Sequence, residues 1–267
     1  MKWPRCLILV HTCLCSFKDD AKPGDLFLGA SQLAADLDVA SCAKHRYDAS
    51  QCANLAPAGT GTQTVSMFLR VNSLARTVHH SHTYTLRGIQ SMRSRGFVVA
   101  PQCFIISVRS AAGRLESGLR YFSEERLREE TGDELVHRAM RSADPMQWLA
   151  ANWEFGGRPF TTPLVSYLDG LNCTMHEVHF VRTAALASDL RELAALFGVD
   201  ESFISAVPHH NHRSNRTACR TGACGSIPSK LLSATVLNST SRAFVNDLYR
   251  QDTAINAKVA EYHERSG

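Results

Sequence analysis

The stretch FVVAPQCFIISV at Phe97–Val108 is the strongest strand signal in the chain. It is a nearly continuous apolar run, which is typical of a strand buried on both faces of a parallel sheet. Arg109 follows directly, and the apolar spacing beyond it predicts a helix over Ala111–Phe122. A buried strand followed at once by a helix is the repeating unit of α/β proteins.

The sequence on both sides of this unit continues the alternation of strand and helix. Upstream, Gln51–Ala56 and Thr77–Leu86 are predicted strands, and a helical pattern between them starts near Thr64. The downstream predictions are a strand at Val178–Val181, a helix at Ala184–Phe197 capped by Gly198, and a last helix at Ser241–Glu261. We therefore expect an α/β fold with one doubly wound parallel sheet flanked by helices.

Length and composition favour one globular domain behind a short leader. Of the 267 residues, 44% are apolar and 20% are charged, values close to those of proteins with a packed core. We assign 1–50 to the leader and 51–267 to the domain. The 29 Lys+Arg and 25 Asp+Glu residues give a net charge of +4. That charge suits an anionic ligand but is far below that of a dedicated nucleic-acid binder, so we expect no nucleic-acid partner.

The N-terminus and the cysteines indicate the secretory pathway. The opening MKWPRCLILVHTCLCSFKDD has two early basic residues and then an apolar run, which outlines a signal peptide or a weak signal anchor. The run is shorter than the about 20 apolar residues of a transmembrane helix, so membrane association would depend on this short N-terminus. Three Asn-x-Ser/Thr sequons follow, at Asn172, Asn215 and Asn238.

Nine cysteines are many for a chain of this size. Cys42 and Cys52 are close enough in sequence to form a disulfide, and so are Cys219 and Cys224. The alternative is a scatter of reduced, partly buried thiols. With the leader and the sequons, the cysteines predict the secretory pathway.

The turn PAGTGTQTV at Pro57–Val65 is a candidate oxyanion loop. A glycine-rich turn that leaves a strand and opens a helix exposes backbone N–H groups, and the helix N-terminus adds about half a positive charge. Gly59 and Gly61 allow the backbone to approach an anion closely. Hydroxyl donors are supplied by Thr60, Thr62 and Thr64. No Gly-Lys-Ser/Thr follows, so the loop is not a Walker A motif and a nucleotide kinase or NTPase is disfavoured.

Arg109 lies where open α/β sheets bind their ligands, at the carboxyl end of a strand. Arg114 and Ser117 follow it at intervals of five and eight residues. Ser117, about two turns into the helix, can share one phosphate group with Arg109. The alternative is that Arg109 is an ordinary surface arginine beyond a strand.

Together these segments resemble the signature pair of the sulfotransferases that use 3′-phosphoadenosine 5′-phosphosulfate. The family's loop P-K-x-G-T-T-S corresponds to PAGTGTQT, and its later R-D-P-x-x-R-x-x-S corresponds to RSAAGRLES. The C-terminal half is similar to the membrane-associated, carbohydrate-type branch in three segments, HEVHFVRTAALASDLRELAALFGV, VPHHNHRS and YRQDTAI. The resemblance covers about Ala53–Val259.

The resemblance implies a P-loop-like sheet, a phosphosulfate nucleotide as co-substrate and no metal. The loop would hold the 5′-phosphosulfate, while Arg109 and Ser117 would hold the 3′-phosphate. The implied loop residues are Gly59, Thr60, Gly61, Thr62, Gln63 and Thr64. The implied activity is sulfuryl transfer to a hydroxyl or amine of a carbohydrate acceptor, through in-line positioning and stabilisation of charge.

Two departures from the family pattern bear on this activity. The loop lysine is missing, since Ala58 and Gly59 lie in its place, and Ser110-Ala111 replaces the family's Asp-Pro. Loss of one donor aimed at developing charge typically costs on the order of 10²–10³ in rate. Either another cation substitutes, for which Arg87 and Arg213 are candidates, or the chain is a catalytically weak or inactive nucleotide- or glycan-binding protein of the same fold.

The segment VHHSHTY offers candidates for the general base that the acceptor needs. On a strand His80 and His82 would project together while His79 points away. The carbohydrate branch often takes its base from this region, so His80 is the first candidate and His82 the second. The alternatives are polar histidines at a strand end or a metal site of clustered imidazoles. The same metal question arises at His209, His210 and His212.

Overall fold

The computed structural model describes residues 32–47, 52–55, 57, 59–71, 80–81, 103–120, 127, 129–153, 160–199 and 233–266. The strands in these ranges are β1 (Cys52–Leu55), β2 (His80–Ser81), β3 (Cys103–Val108) and β4 (Glu177–Arg182). The first helices are α1 (32–36), α2 (Val39–Cys42), α3 (Thr62–Val71), α4 (Ala111–Leu119), α5 (Gly132–Met140) and α6 (Pro145–Trp153). The later helices are α7 (Leu164–Tyr167), α8 (Leu186–Phe197), α9 (Ser239–Leu248) and α10 (Arg250–Ser266).

The strands form one parallel sheet in the order β2-β1-β3-β4. β3 is central and every one of its residues is buried, which confirms the strand predicted from the apolar run. The first part of that run, 97–102, lies outside the described residues. Helices flank the sheet, so the α/β class with a parallel sheet is confirmed.

Alternate side chains of β3 serve two different cores, because successive residues of a strand point to opposite faces. Phe104, Ile106 and Val108 pack with α2, α7 and α10 on one face. Cys103 and Ile105 pack with α3 and α8 on the other. Both faces of the sheet are therefore covered, which explains why β3 reads as a continuous apolar run rather than an alternating one.

A third core joins α4 to α5, α6 and α9 around Trp153, which is completely buried. The helices α5 and α6 lie between α4 and α7 in the chain. The start of α5 is fixed by a capping box, in which Thr131 accepts from Glu134 N and the Glu134 carboxylate accepts from Thr131 N. This core packs against the inner side of α4 and so sets the position of the helix that follows β3.

Part of the segment assigned to the leader packs against the sheet. Ala34, Leu37, Val39 and Cys42 belong to the same core as Phe104 and its neighbours. Residues 34–42 therefore contribute to the folded core. None of the helices in the described ranges is both long and apolar enough to span a bilayer.

Two disulfides connect segments that are far apart in sequence, Cys42 with Cys173 and Cys52 with Cys103. The predicted pairing of Cys42 with Cys52 is wrong. Cys52 opens β1 and lies in register beside Cys103 of β3, with their Cα atoms 4.3 Å apart. Sequence proximity was a poor guide because the parallel sheet brings the starts of β1 and β3 together. Cys219 and Cys224 lie outside the described residues.

The last predicted helix, Ser241–Glu261, is two helices that meet at Tyr249. This residue has φ −105° and ψ 41°, which ends α9. Its ring is buried beneath the Arg114 guanidinium, with 5.7 Å from Cζ to the ring centroid. Tertiary packing interrupts the helix although the apolar spacing continues through it. By contrast, β4 and α8 confirm their predictions, and Gly198 ends α8 in the left-handed conformation with φ +64°.

Candidate functional site

The strand order brings the two predicted ligand segments to one point of the sheet. From β1 the chain passes to β2 on one side, while β3 lies on the other side of β1. In open α/β sheets, the crevice outside the carboxyl ends of the strands at such a reversal is the usual ligand site. The turn at Gly59 and Gly61 follows β1, and Arg109 follows β3. Both therefore lie at the reversal.

The turn requires glycine at two positions, because of its backbone conformation and because of the side chains packed against it. Gly59 and Gly61 have φ of +79° and +82°, which residues with a side chain rarely adopt. A Cβ on Gly59 would lie 3.1 Å from the Phe160 ring and 3.1 Å from Ser117 Cβ. A Cβ on Gly61 would lie 3.1 Å from the Leu186 side chain. Gly59 thus rests directly on Ser117, which joins the predicted loop to the predicted helix.

The threonines of the turn differ in what they can offer an anion. Thr60 is buried, and its hydroxyl donates to Pro57 O at 2.7 Å. This hydrogen bond stabilises the turn itself. Thr64 is buried in the first turn of α3. The helix begins at Thr62, so its N-terminus opens toward the carboxyl edge of the sheet. The side chains of Thr62 and Gln63 lie outside the described part of the chain.

Arg109 reaches from the end of β3 back to the turn. Its Nη1 donates to Gly59 O at 2.9 Å. A Cβ on Gly113 would lie 2.7 Å from Arg109 Nε, so the missing side chain makes room for the guanidinium. Within the described residues, Gly59 O is the only hydrogen-bond partner of this guanidinium. Its Nε and Nη2 donors are available to an anion in the crevice.

One face of α4 lines the same crevice. Gly113, Ser117 and Arg120 are spaced i, i+4 and i+7, so they lie in one stripe on the helix. Gly113 contacts Arg109, and Ser117 contacts Gly59. Arg120 lies one turn further along, and its Nε is buried with no hydrogen-bond partner in the ranges that the structure describes. Such a group costs roughly 1–3 kcal/mol or more when it stays unpaired, so it favours a bound acceptor.

The charges around Arg109 are predominantly positive. Burial lowers the pKa of Arg109 below its ordinary value, and the charges of Arg120 and Arg242 act in the same direction. Glu116 opposes the shift, but its carboxylate already pairs with Arg242 Nη2 at 2.5 Å and accepts from Leu237 N at 2.9 Å. Among the described residues, three guanidiniums and one carboxylate leave a positive site, which attracts an anion.

Thr183, which sequence analysis missed, ties this site together. Its hydroxyl lies 2.9 Å from Thr60 O and 2.9 Å from Val108 O, so the end of β4 holds both the turn and the end of β3. Arg120 and Arg242 were missed as well. For Arg120 a signal existed, since helical spacing from Gly113 and Ser117 places it on their face. For Arg242 the sequence offers no such signal.

Arg114 does not join the site, although the resemblance groups it with Arg109 and Ser117. It is 1% exposed and pairs with Asp252 of α10 through Nη2. Its Nη1 donates to Thr162 O at 2.6 Å. Arg114 therefore attaches α4 to the C-terminal helices and acts on the site only by fixing α4.

The structure describes the backbone of the candidate base His80 but not its side chain. His80 lies in β2 and pairs in register with Asn54 of β1. Its backbone is therefore one residue from the carboxyl end of β2. β2 is on the side of β1 away from β3. The side chain of His80 and all of His82 lie outside the described residues. So do the further histidines and arginines considered from sequence, Arg87, His209, His210, His212 and Arg213.

Comparison with protein-family models, with curated proteins and with solved structures finds no match to this chain. The fold class and the crevice are thus defined by the chain's own residues. The sulfotransferase resemblance stays a prediction that depends on the order and spacing of the quoted motifs.

Proposed function

We propose that the chain binds a nucleotide phosphosulfate at the carboxyl edge of its sheet and transfers the sulfuryl group to a carbohydrate hydroxyl or amine. The 5′-phosphosulfate lies on the turn and helix start formed by residues 59–64. The 3′-phosphate lies on Arg109 and Ser117, with Arg120 as a third donor. The proposed fold is correspondingly a P-loop-like doubly wound sheet.

One observation carries this proposal: the predicted loop and the predicted arginine are in contact. Arg109 Nη1 donates to Gly59 O, and Gly59 rests on Ser117. Two motifs that are 50 residues apart in sequence therefore line one crevice. Their donors are a helix N-terminus and arginine guanidiniums, the groups that recognise phosphate and sulfate oxygens.

The reaction needs little covalent help from the protein. The bond between sulfur and the bridging phosphate oxygen breaks, a bond from sulfur to the acceptor oxygen or nitrogen forms, and 3′,5′-adenosine bisphosphate leaves. The acceptor proton passes to a base, for which His80 and then His82 are our candidates. The chain contributes in-line positioning and donors aimed at the leaving phosphate oxygen.

The absent loop lysine leaves the turn without a cation of its own, because Ala58 and Gly59 lie where the family carries that lysine. Arg109 is held against Gly59, and Arg120 and Arg242 are near enough to depress the pKa of Arg109. In this proposal Arg109 and Arg120 act on the 3′-phosphate, and the helix N-terminus at Thr62 faces the charge on the leaving oxygen.

A second candidate function follows from the same departure. A site without the loop lysine can retain the nucleotide and fail to transfer, which would make the chain a nucleotide- or glycan-binding protein. The observation that favours it is Ala58 itself. Both candidates share the crevice and differ only in turnover.

Labelled phosphosulfate donor and a panel of glycans separate the two candidates. We expect transfer by the wild-type protein and none by Arg109→Gln, with calorimetry on 3′,5′-adenosine bisphosphate run on the same preparations. Nucleotide binding without transfer above the Arg109→Gln background would favour the binding protein. Absence of both binding and transfer would contradict both.

Replacement of Arg120 by glutamine is expected to weaken binding of 3′,5′-adenosine bisphosphate by about 10- to 100-fold. A hydrogen bond to a charged group contributes about 1.5–3 kcal/mol, and 1.4 kcal/mol is a factor of ten. Calorimetry measures the change. The matched control is Arg191→Gln, an exposed arginine of α8 that should bind as wild type does. Equal affinities for Arg120→Gln and Arg191→Gln would remove Arg120 from the site.

We also propose that the protein resides in the secretory pathway, in the Golgi membrane or lumen, and associates with the membrane through its N-terminus. The two disulfides support an oxidising compartment. Asn172 is an exposed sequon asparagine whose Oδ1 accepts from Thr174 N at 2.9 Å and from Thr174 Oγ1 at 2.6 Å. Its exposure is compatible with a glycan at this position.

A further inference from the structure

A second cluster of polar side chains lies at the opposite edge of the sheet from the crevice. Glu177 opens β4, in register with Cys103 at the start of β3. His179 follows two residues later, so both side chains point to the same face. The segment after α2 brings His45 to them. Glu177 is completely buried, His179 is 4% exposed and the His45 side chain is 42% exposed.

The two imidazoles converge on one carboxylate oxygen. Glu177 Oε1 lies 2.5 Å from His179 Nε2 and 3.5 Å from His45 Nδ1. One ligand atom from each of the three residues lies within 4.8 Å of the others. A zinc ion with bonds of about 2.0–2.1 Å and tetrahedral angles holds its ligand atoms about 3.3 Å apart. The separations between these atoms, 2.5 Å and 3.5 Å with all three atoms within 4.8 Å, lie on both sides of that value.

The remaining contacts of Glu177 fix which oxygen faces the histidines. Its Oε2 accepts the backbone N–H of Tyr47 at 3.0 Å and also that of Arg46. Oε1 is thereby directed toward His45 and His179. Partners of this kind, which orient a metal ligand through its other polar atom, are a regular feature of metal sites.

The segment that carries His45 is held rigidly against the turn before β4. The Arg46 guanidinium donates to the backbone oxygens of Thr174 at 2.6 Å, Cys173 at 2.9 Å and His176 at 2.5 Å. The Cys42–Cys173 disulfide joins the same two segments. His45 is thus placed before any ligand binds, which lowers the entropic cost of binding.

An aromatic ring supports both imidazoles. Phe197 packs edge-on against His45 and His179, with ring centroids 5.5 Å and 5.4 Å apart. Two imidazole nitrogens and one carboxylate oxygen therefore face one another within 4.8 Å, an arrangement of donor atoms that a divalent cation stabilises.

We propose that His45, Glu177 and His179 bind one divalent transition-metal ion of the zinc class, with a fourth position open to solvent beside His45. Two imidazole nitrogens and one carboxylate oxygen form a donor set that zinc accepts, and they do not suit calcium or magnesium, which prefer oxygen ligands. The site lies at the amino edge of the sheet, so it is independent of the function proposed for the carboxyl edge.

The second group of potential ligands, Asp189, Glu192 and His263, is already used within the protein. Asp189 accepts from the Arg182 guanidinium through both oxygens, at 2.7 Å from Nη2 and 3.1 Å from Nε. His263 Nε2 lies 3.0 Å from Phe180 O and its Nδ1 lies 3.0 Å from Glu192 Oε2. Both nitrogens of His263 thus have partners within the protein and Asp189 is paired with Arg182, so we assign no metal to this group.

The test is a zinc titration of the full chain, dialysed against chelator under non-reducing conditions. We expect one Zn²⁺ per chain at micromolar affinity or tighter, and at least tenfold weaker binding for His45→Gln. His137→Gln, another exposed histidine, is the matched control and should bind as wild type does. His45 is exposed, so its variant should fold, and thermal unfolding without zinc checks this.

Cobalt(II) substitution supplies an independent readout, because the visible absorption of the bound ion reports its coordination. We expect a spectrum of mixed nitrogen and oxygen ligation at low coordination number, which is lost in His45→Gln and in His179→Gln but kept in His137→Gln. Absence of binding by the wild-type chain would overturn the proposal. Equal zinc affinity of wild type and His45→Gln would overturn it as well, since the ion would then lie at other histidines.

Discussion

Replacement of Asp252 by alanine is expected to lower the free energy of unfolding by about 3–5 kcal/mol. The Asp252 carboxylate is fully buried in α10, where it pairs with Arg114 Nη2 and accepts from Val165 N at 3.3 Å. Without it, the Arg114 guanidinium stays buried at 1% exposure and loses its one ion-pair partner among the described residues. Denaturant unfolding under non-reducing conditions, followed by circular dichroism, measures the loss.

Two further variants separate the ion pair from general damage to the C-terminal helices. Asp247→Ala removes an exposed acidic residue of α9 and should stay within about 0.5 kcal/mol of wild type. The double variant Arg114→Met, Asp252→Leu replaces the pair with apolar groups of similar size and should recover most of the lost stability. A change below about 1 kcal/mol for Asp252→Ala alone would contradict a buried pair at this position.

Replacement of Arg109 by glutamine is expected to weaken binding of 3′,5′-adenosine bisphosphate by about 100-fold. A guanidinium that presents two parallel donors to a phosphate contributes on the order of 3 kcal/mol, which corresponds to that factor. Glutamine keeps an amide donor on a shorter side chain and removes the charge. Isothermal titration calorimetry measures the affinity of both proteins.

The same titration with 5′-AMP shows whether Arg109 acts on the 3′-phosphate. This ligand lacks the 3′-phosphate, so we expect its affinity to change less than about threefold on Arg109→Gln. Arg109 also donates to Gly59 O, and loss of that bond could disturb the turn. Equal weakening of both nucleotides would assign Arg109 to holding the turn and would contradict its assignment to the 3′-phosphate.

The layout of the carboxyl edge followed from sequence because it depends on local signals. The apolar run ending at Val108 marks a strand buried on both faces, and Arg109 must then lie at its carboxyl end. Gly59 and Gly61 mark a turn between a strand and a helix. Parallel strands put such ends at one edge, so the fold class places the turn and Arg109 at the same edge of the sheet.

The features that were missed depend on contacts between distant segments. Cys52 pairs with Cys103 because of strand register, which no spacing in the sequence reveals. His45 and Glu177 are 132 residues apart, so their convergence has no local signature. The end of α9 at Tyr249 comes from a buried contact with Arg114, which overrides a helical pattern that continues beyond it.

The proposed function rests on the claim that the crevice between β1 and β3 recognises a nucleotide with phosphates at both the 5′ and the 3′ positions. Calorimetric titration of the wild-type protein with 3′,5′-adenosine bisphosphate and with 5′-AMP tests it most directly. We expect one site per chain and at least tenfold tighter binding of the bisphosphate, with affinity falling as salt is raised. No measurable binding of the bisphosphate, or equal affinity for the two nucleotides, would contradict the claim.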